Sequence, residues 1–181
     1  MEQKVIWTIG HSTNTLEEFI AKLKSFNIEL LVDIRSFPGS RRFPHFNKEA
    51  LKISLPENNI EYLHLVQLGG RRKPRSDSHN TGWRVEAFRG YADYMETEDF
   101  RNTIKELEER AAEKRTAYMC SEAVWWRCHR RMIADAETAR GIPVKHVISE
   151  RNAPRHVLSA FAVVKKRGGC APTITYPQQR T

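Results

Sequence analysis

The apolar positions fall into short blocks that switch between a period near two and a period near 3.6. Val5-Ile-Trp-Thr-Ile9 is a β-rich run ending at Gly10-His11-Ser12, after which Leu16, Phe19, Ile20 and Leu23 recur on one helical face. Thr15, with Glu18 three residues on, is a capping-box signature for that helix. Leu30-Leu-Val-Asp-Ile34 predicts a second buried strand that ends in Arg35. Strand, helix and strand at this spacing imply a right-handed crossover and a parallel pair. Two prolines and a glycine exclude a regular element over residues 36–46. Asn47 is placed to cap a helix running to about residue 55, and 60–66 reads as a third strand. Residues 76–83 read as a mobile polar loop. Helices are predicted over 85–95 and 99–114, a fourth strand over 116–120, a helix over 123–140 and a fifth strand over 144–148. This alternation predicts one α/β domain: a three-layer sandwich on a mostly parallel sheet of about five strands, with helices on both faces. Residues 1–150 form the expected core. Residues 151–181 form a basic extension on or beside it, with a short helix near 157–165 and an extended run over 173–176.

Composition narrows the setting. A chain of 181 residues with 40% hydrophobic content can bury one full core. No apolar run approaches the roughly 20 residues needed to span a bilayer, and Met1-Glu-Gln-Lys-Val-Ile-Trp lacks the pattern of a signal peptide. Three widely spaced cysteines do not suggest a disulfide framework, so a reducing cytoplasm is the expected setting. Lys+Arg 30 against Asp+Glu 22 gives +8, which favours anionic partners: small phosphorylated molecules, nucleotides or nucleic acid.

Candidate chemistry gathers where predicted strands end. His11 and Ser12 follow strand one, Asp33 and Arg35 end strand two, Gly69, Gly70 and Arg71 follow strand three, and Cys120 and Glu122 end strand four. In an open parallel sheet these carboxyl ends share one edge, where ligands bind at a topological switch point. Arg41, Cys128, His129 and Arg130 belong to the same set by proximity in sequence.

The ordered motifs Thr8-Ile-Gly-His-Ser12, Val32-Asp-Ile-Arg35, Leu68-Gly-Gly70 and Cys120-Ser-Glu122 with Cys128-His-Arg130 resemble the uncharacterised family called domain of unknown function four-eight-eight. The likeness runs from residue 5 to about 150, and His156 and Thr175-Tyr-Pro177 look like the family's ending. The resemblance implies a compact α/β domain sharing these motifs and no particular activity. Trp125-Trp126, inside the last motif, are bulkier than the resemblance suggests.

Cys120, at a strand end beside a predicted helix start, is a candidate thiolate, with His11 or His129 as its base. Glu122 and His129 are seven apart, which on a helix would put both on one face as an acid–base pair around a ligand. Asp33 and Arg35 are expected on opposite sides of the strand end, with Asp33 orienting His11 or an arginine. The glycine pair permits a positive-φ anion nest ahead of Arg71. No cofactor motif is present. Zinc is the lesser alternative, because Cys-x7-Cys-His lacks a short knuckle and adjacent residues on a helix diverge by about 100°. Trp125 and Trp126 could stack on bases, although core packing explains at least one of them. The expected function is an enzyme acting on an anionic substrate through Cys120, Glu122, His129 and His11, with Ser12, Asp33, Arg35, Arg41, Gly69, Gly70, Arg71, Cys128 and Arg130 binding it. The alternative is a non-catalytic nucleic-acid-binding accessory protein.

Overall fold

Five parallel strands form the central sheet of the computed structural model, which describes residues 4–179. They are β1 (Ile6–Gly10), β2 (Leu30–Asp33), β3 (Glu61–His64), β4 (Thr116–Cys120) and β5 (Val144–Val147), in the order β3-β2-β4-β1-β5. The first three residues of the segment read for a signal peptide lie outside the described residues. β1 and β2 point the same way, as the crossover requires, but they are not neighbours. β4 lies between them, pairing Gly10 with Cys120 and Asp33 with Met119.

The period of two in the strands sorts side chains between two cores. Trp7, Ile9, Leu31, Ala117 and Met119 face one way, onto Phe19 and Leu23 of α1 (Leu16–Ser25) and Leu51 of α2 (Lys48–Ser54). Ile6, Leu30, Val32 and Tyr118 face the other way. There they meet Tyr91 of α3 (Glu86–Tyr94), Phe100 and Leu107 of α4 (Glu98–Glu113) and Met132 of α5 (Arg130–Ala139). The chain therefore builds outward from β1 to β3 with helices on one face. It then returns through β4 to β5 with helices on the other. The reversal leaves a crevice above the carboxyl ends of β1, β2 and β4, and this is the switch point that positions the site.

Local chemistry accounts for most of the element ends. In α1, Thr15 Oγ1 accepts from the Glu18 amide (3.1 Å) and Glu18 Oε2 accepts from the Thr15 amide (2.8 Å), completing the capping box. Asn47 occupies the N-cap position of α2, yet its Oδ1 accepts from the Ser40 amide instead (2.6 Å), fastening the preceding loop. Three predicted features differ. The helix expected over 123–140 begins only at Arg130, and the chain from Cys120 to it is a loop with one 3-10 turn at Trp125–Arg127. No helix forms near 157–165. The β-branched pair Val163-Val164 joins β6 (Val163–Lys165) in a hairpin with β7 (Thr173–Thr175), and the Ser159 amide is held by Asp135 (2.9 Å). The loop at 76–83 is tied down, because Asn80 is fully buried and donates to Asp93 (2.7 Å) and Glu96 (2.9 Å). From the tail, Ile174 and Tyr176 enter the core beside Trp83. No helix among the described residues is long and apolar enough to cross a membrane.

Candidate active site

The crevice is a cavity of about 540 Å³ walled by all four loops that leave β1 to β4. His11 and Ser12 come from the first, Arg35, Ser36 and Ser40 from the second, Gly70 and Arg71 from the third, and Cys120, Ser121 and Glu122 from the fourth, with His129 beyond them. The sequence-predicted residues His11, Ser12, Arg35, Gly70, Arg71, Cys120, Glu122 and His129 thus line one cavity. Asp33, Gly69, Cys128 and Arg130 lie behind the lining, and Arg41 is exposed and not part of it.

Close approach explains the glycines. A Cβ at Gly10 would overlap the Glu122 carbonyl oxygen and sit 2.9 Å from Arg130 Nη2. The glycine pair does not form the expected positive-φ nest: Gly69 is extended (φ −64°), and the left-handed residue is Arg71 (φ 61°). The pair instead lets neighbours approach, since a Cβ on Gly69 would overlap Ser36 Oγ and one on Gly70 would lie 3.1 Å from His129 Nδ1.

Asp33 and Arg35 are on the same side of the chain, not opposite sides, because residues two apart in extended backbone share a face. Asp33, fully buried, accepts from Arg35 Nε (2.9 Å), Nη2 (2.7 Å) and the Arg35 amide (3.0 Å), and from the Tyr62 hydroxyl (2.6 Å). Arg35 Nη2 also donates to the Phe46 carbonyl (2.7 Å) and Nη1 to His11 Nε2 (3.3 Å). Of the five donors of a guanidinium, one is left for a ligand. His11 stacks on Phe46 (4.3 Å), and its Nδ1 faces the Ser12 carbonyl (2.9 Å), which can only accept. The proton therefore sits on Nδ1. Burial, with Arg35 adding to it, lowers the His11 pKa and keeps the ring neutral. Both ring nitrogens are occupied, so His11 is a wall residue rather than a free base.

Cys120, Cys128 and His129 form a buried cluster. The Cys128 thiol beside Cys120, together with His129 and Arg130, holds the Cys120 pKa well below the usual thiol value against the opposing effect of burial. The same contact, with burial, raises that of Cys128. Glu122 and His129 are not on one helical face. Glu122 is exposed on the loop, accepting from the Val124 amide (3.3 Å), whereas His129 is buried at the start of α5. Cys128 and His129 also escape the helical divergence argued against a metal, because both precede the first turn of α5 and Cys128 is extended.

Arg130 is fully buried, and among the described residues no carboxylate lies within ion-pair distance of it. Its Nη2 donates to the Glu122 carbonyl (2.6 Å) and its Nη1 to Thr8 Oγ1 (3.2 Å). Thr8 is register partner to His146 on β5 and bonds its Nδ1 (2.8 Å). His146 Nε2 then meets His156 Nδ1 (2.9 Å), and His156 Nε2 meets Asp135 Oδ1 (2.8 Å). With His146 held neutral by its burial, Thr8 Oγ1 can donate to its Nδ1 and its Nε2 can donate to His156, so the donors run from Arg130 toward Asp135, which also accepts from the Tyr176 hydroxyl (2.8 Å). Sequence reading missed Thr8, His146 and Asp135; the available signal was a Thr and a His inside otherwise apolar strands. Trp125 stacks flat on His146 (4.1 Å, 2°), while Trp126 is half exposed. Arg131 bonds Ser159 (2.8 Å) and packs against Trp83 and Phe161, away from the cavity.

The family described as Domain of unknown function DUF488 matches residues 15–136, about two thirds of the chain. The chain belongs to the DUF488 family. The match takes in the Asp33, Gly69-Gly70, Cys120 and Cys128-His129-Arg130 motifs. It begins after Gly10-His11-Ser12 and stops before His146 and His156, so those parts of the site rest on the structure alone. No curated protein and no solved structure matches the chain.

Proposed function

We propose that the chain is an enzyme, a Cys120-dependent hydrolase or transferase, acting on an anionic, phosphate-bearing substrate such as a nucleotide or a nucleic-acid end. The observation that carries this reading is a thiol held toward its ionised form on the wall of a cavity of about 540 Å³. That volume lies within the roughly 300–1,000 Å³ of small-molecule sites. A buried Arg130 without a carboxylate favours negative charge at Cys120, since leaving a buried cation unpaired costs several kcal/mol. Arg71, exposed with its guanidinium over Phe37 (5.3 Å), is the cation free to meet a phosphate, joined by the remaining Arg35 donor and the hydroxyls of Ser12 and Ser121. Glu122 is the exposed wall carboxylate suited to proton transfer. A reducing cytoplasm fits three free cysteines.

Nucleotides, phosphate monoesters and short oligonucleotides are tested by thermal shift and turnover. A bound ligand at a hundred times its Kd stabilises by about 2.7 kcal/mol. Arg71→Ala is expected to remove that shift, and Cys120→Ser to abolish turnover in a folded protein. Absence of any ligand-dependent shift or turnover across the panel sinks the reading. Exposed Phe37 and Trp126 support the second reading, a nucleic-acid-binding accessory protein. It predicts affinity for oligonucleotides that falls steeply with salt and is indifferent to Cys120→Ser.

A further inference from the structure

The His129 ring is buried with sulfur for its polar company. Its Nδ1 lies 3.6 Å from Cys128 Sγ, the Cys120 thiol is close enough to be polarised by it, and Nε2 is buried with no partner among the described residues. One ligand atom each from Cys120, Cys128 and His129 lies within 4.8 Å of the other two. Tetrahedral zinc, with bonds of about 2.3 Å to sulfur and about 2.0 Å to nitrogen, sets sulfur and nitrogen about 3.5 Å apart and two sulfurs about 3.8 Å apart. The Cys128–His129 pair, at 3.6 Å, is already close to that separation. A proton can bridge one pair of these groups, whereas a divalent ion holds all three. The Arg130 amide donates to Cys128 Sγ (3.4 Å), the kind of outer hydrogen bond that supports a ligating sulfur.

We propose that Cys120, Cys128 and His129 bind a zinc ion whose fourth position opens on the cavity. Two thiolates and an imidazole are soft donors that select zinc over magnesium or calcium. Cys120 and His129 line the cavity while Cys128 lies behind, so the free position faces the substrate space. His11 is not a fourth ligand, because both its nitrogens are engaged. The proposal rests on reading the cavity as an active site and deepens it: an open-coordinated zinc supplies a Lewis acid or an activated water there. Nε2 of His129 lacks the outer partner whose loss typically costs 10–100-fold in affinity, so a strong chelator is expected to strip the ion.

Full-length protein purified without chelator is expected to carry close to one zinc per chain by elemental analysis. Its cobalt-substituted form is expected to show thiolate-to-metal charge-transfer absorption. Cys120→Ser, Cys128→Ser and His129→Ala should each lose most of the zinc, whereas Cys170→Ser, at an exposed thiol, should keep it. Because a cysteine variant can fail to fold, the chelator-stripped wild type is also titrated with zinc while circular dichroism reports its fold. A folded, stripped protein that takes up no stoichiometric zinc overturns the proposal. So does a cobalt form without charge transfer, or a Cys120–Cys128 disulfide recovered in place of metal. Nucleotide-dependent stabilisation in a folded protein that takes up no zinc sinks the metal and leaves the active-site reading standing. Stoichiometric zinc with no nucleotide binding does the reverse.

Discussion

Acid should destabilise this protein through His146 in particular. Burial, then repulsion from His156 and Arg130, pushes its pKa down to about 3 from 6.5. The groups facing it are Thr8 Oγ1, His156, Arg130 and the Trp125 ring, with Asp135 one hydrogen bond further. Between those two values the unfolded chain binds a proton that the folded chain refuses, so stability falls as pH drops through 6.5 and stops falling near 3. At about 1.4 kcal/mol per pH unit, two units below the unfolded value removes about 2.7 kcal/mol. The figure hardly changes if the folded value is a unit higher, because the proton is still refused there. Urea unfolding of wild type and His146→Gln near pH 7.5 and near pH 4.5 isolates this effect. Glutamine can accept from Thr8 and donate to His156 without titrating. The wild type should lose about 2.7 kcal/mol more than the variant over that interval, the other titrating groups being common to both. Equal losses would show that His146 is protonated in the fold and would break the one-way chain from Arg130 to Asp135.

Three further outcomes follow from the geometry. Gly10→Ala drives a Cβ into the Glu122 carbonyl and should cost about 1–3 kcal/mol or more by denaturation, together with loss of ligand binding. An unchanged midpoint would contradict the close contact between Gly10 and the loop after β4. Asp33→Asn leaves the Arg35 guanidinium buried without its counter-ion and should cost about 3–5 kcal/mol, read as a lowered urea midpoint. Thr15→Ala breaks the α1 capping box and should cost about 1 kcal/mol while leaving ligand affinity intact; a change in affinity would tie α1 to the site.

Much of the layout was legible from periodicity. The strand over Thr116–Cys120 and the capping box at Thr15 are where pattern and turn chemistry put them, because both depend on neighbours within a few residues. Convergence at the carboxyl edge was legible too, since parallel strands bring their ends together whatever their order. The stretch between Cys120 and Arg130 misled. Its apolar and charged residues imitate a helix, but Trp125 is drawn onto His146 and Arg130 is pulled under the Glu122 carbonyl, and neither partner is near in sequence.

Sequence alone determined the alternation of elements, the shared edge of the sheet and half of the residues that line the cavity there. Local propensity and a parallel sheet suffice for that. Only tertiary structure decided that β4 enters between β1 and β2, that Cys128 and His129 turn toward Cys120, and that a buried arginine is joined through Thr8, His146 and His156 to Asp135. Those outcomes depend on pairing between residues up to 138 apart, and on which buried charge must find a partner. Neither leaves a periodic trace in the chain.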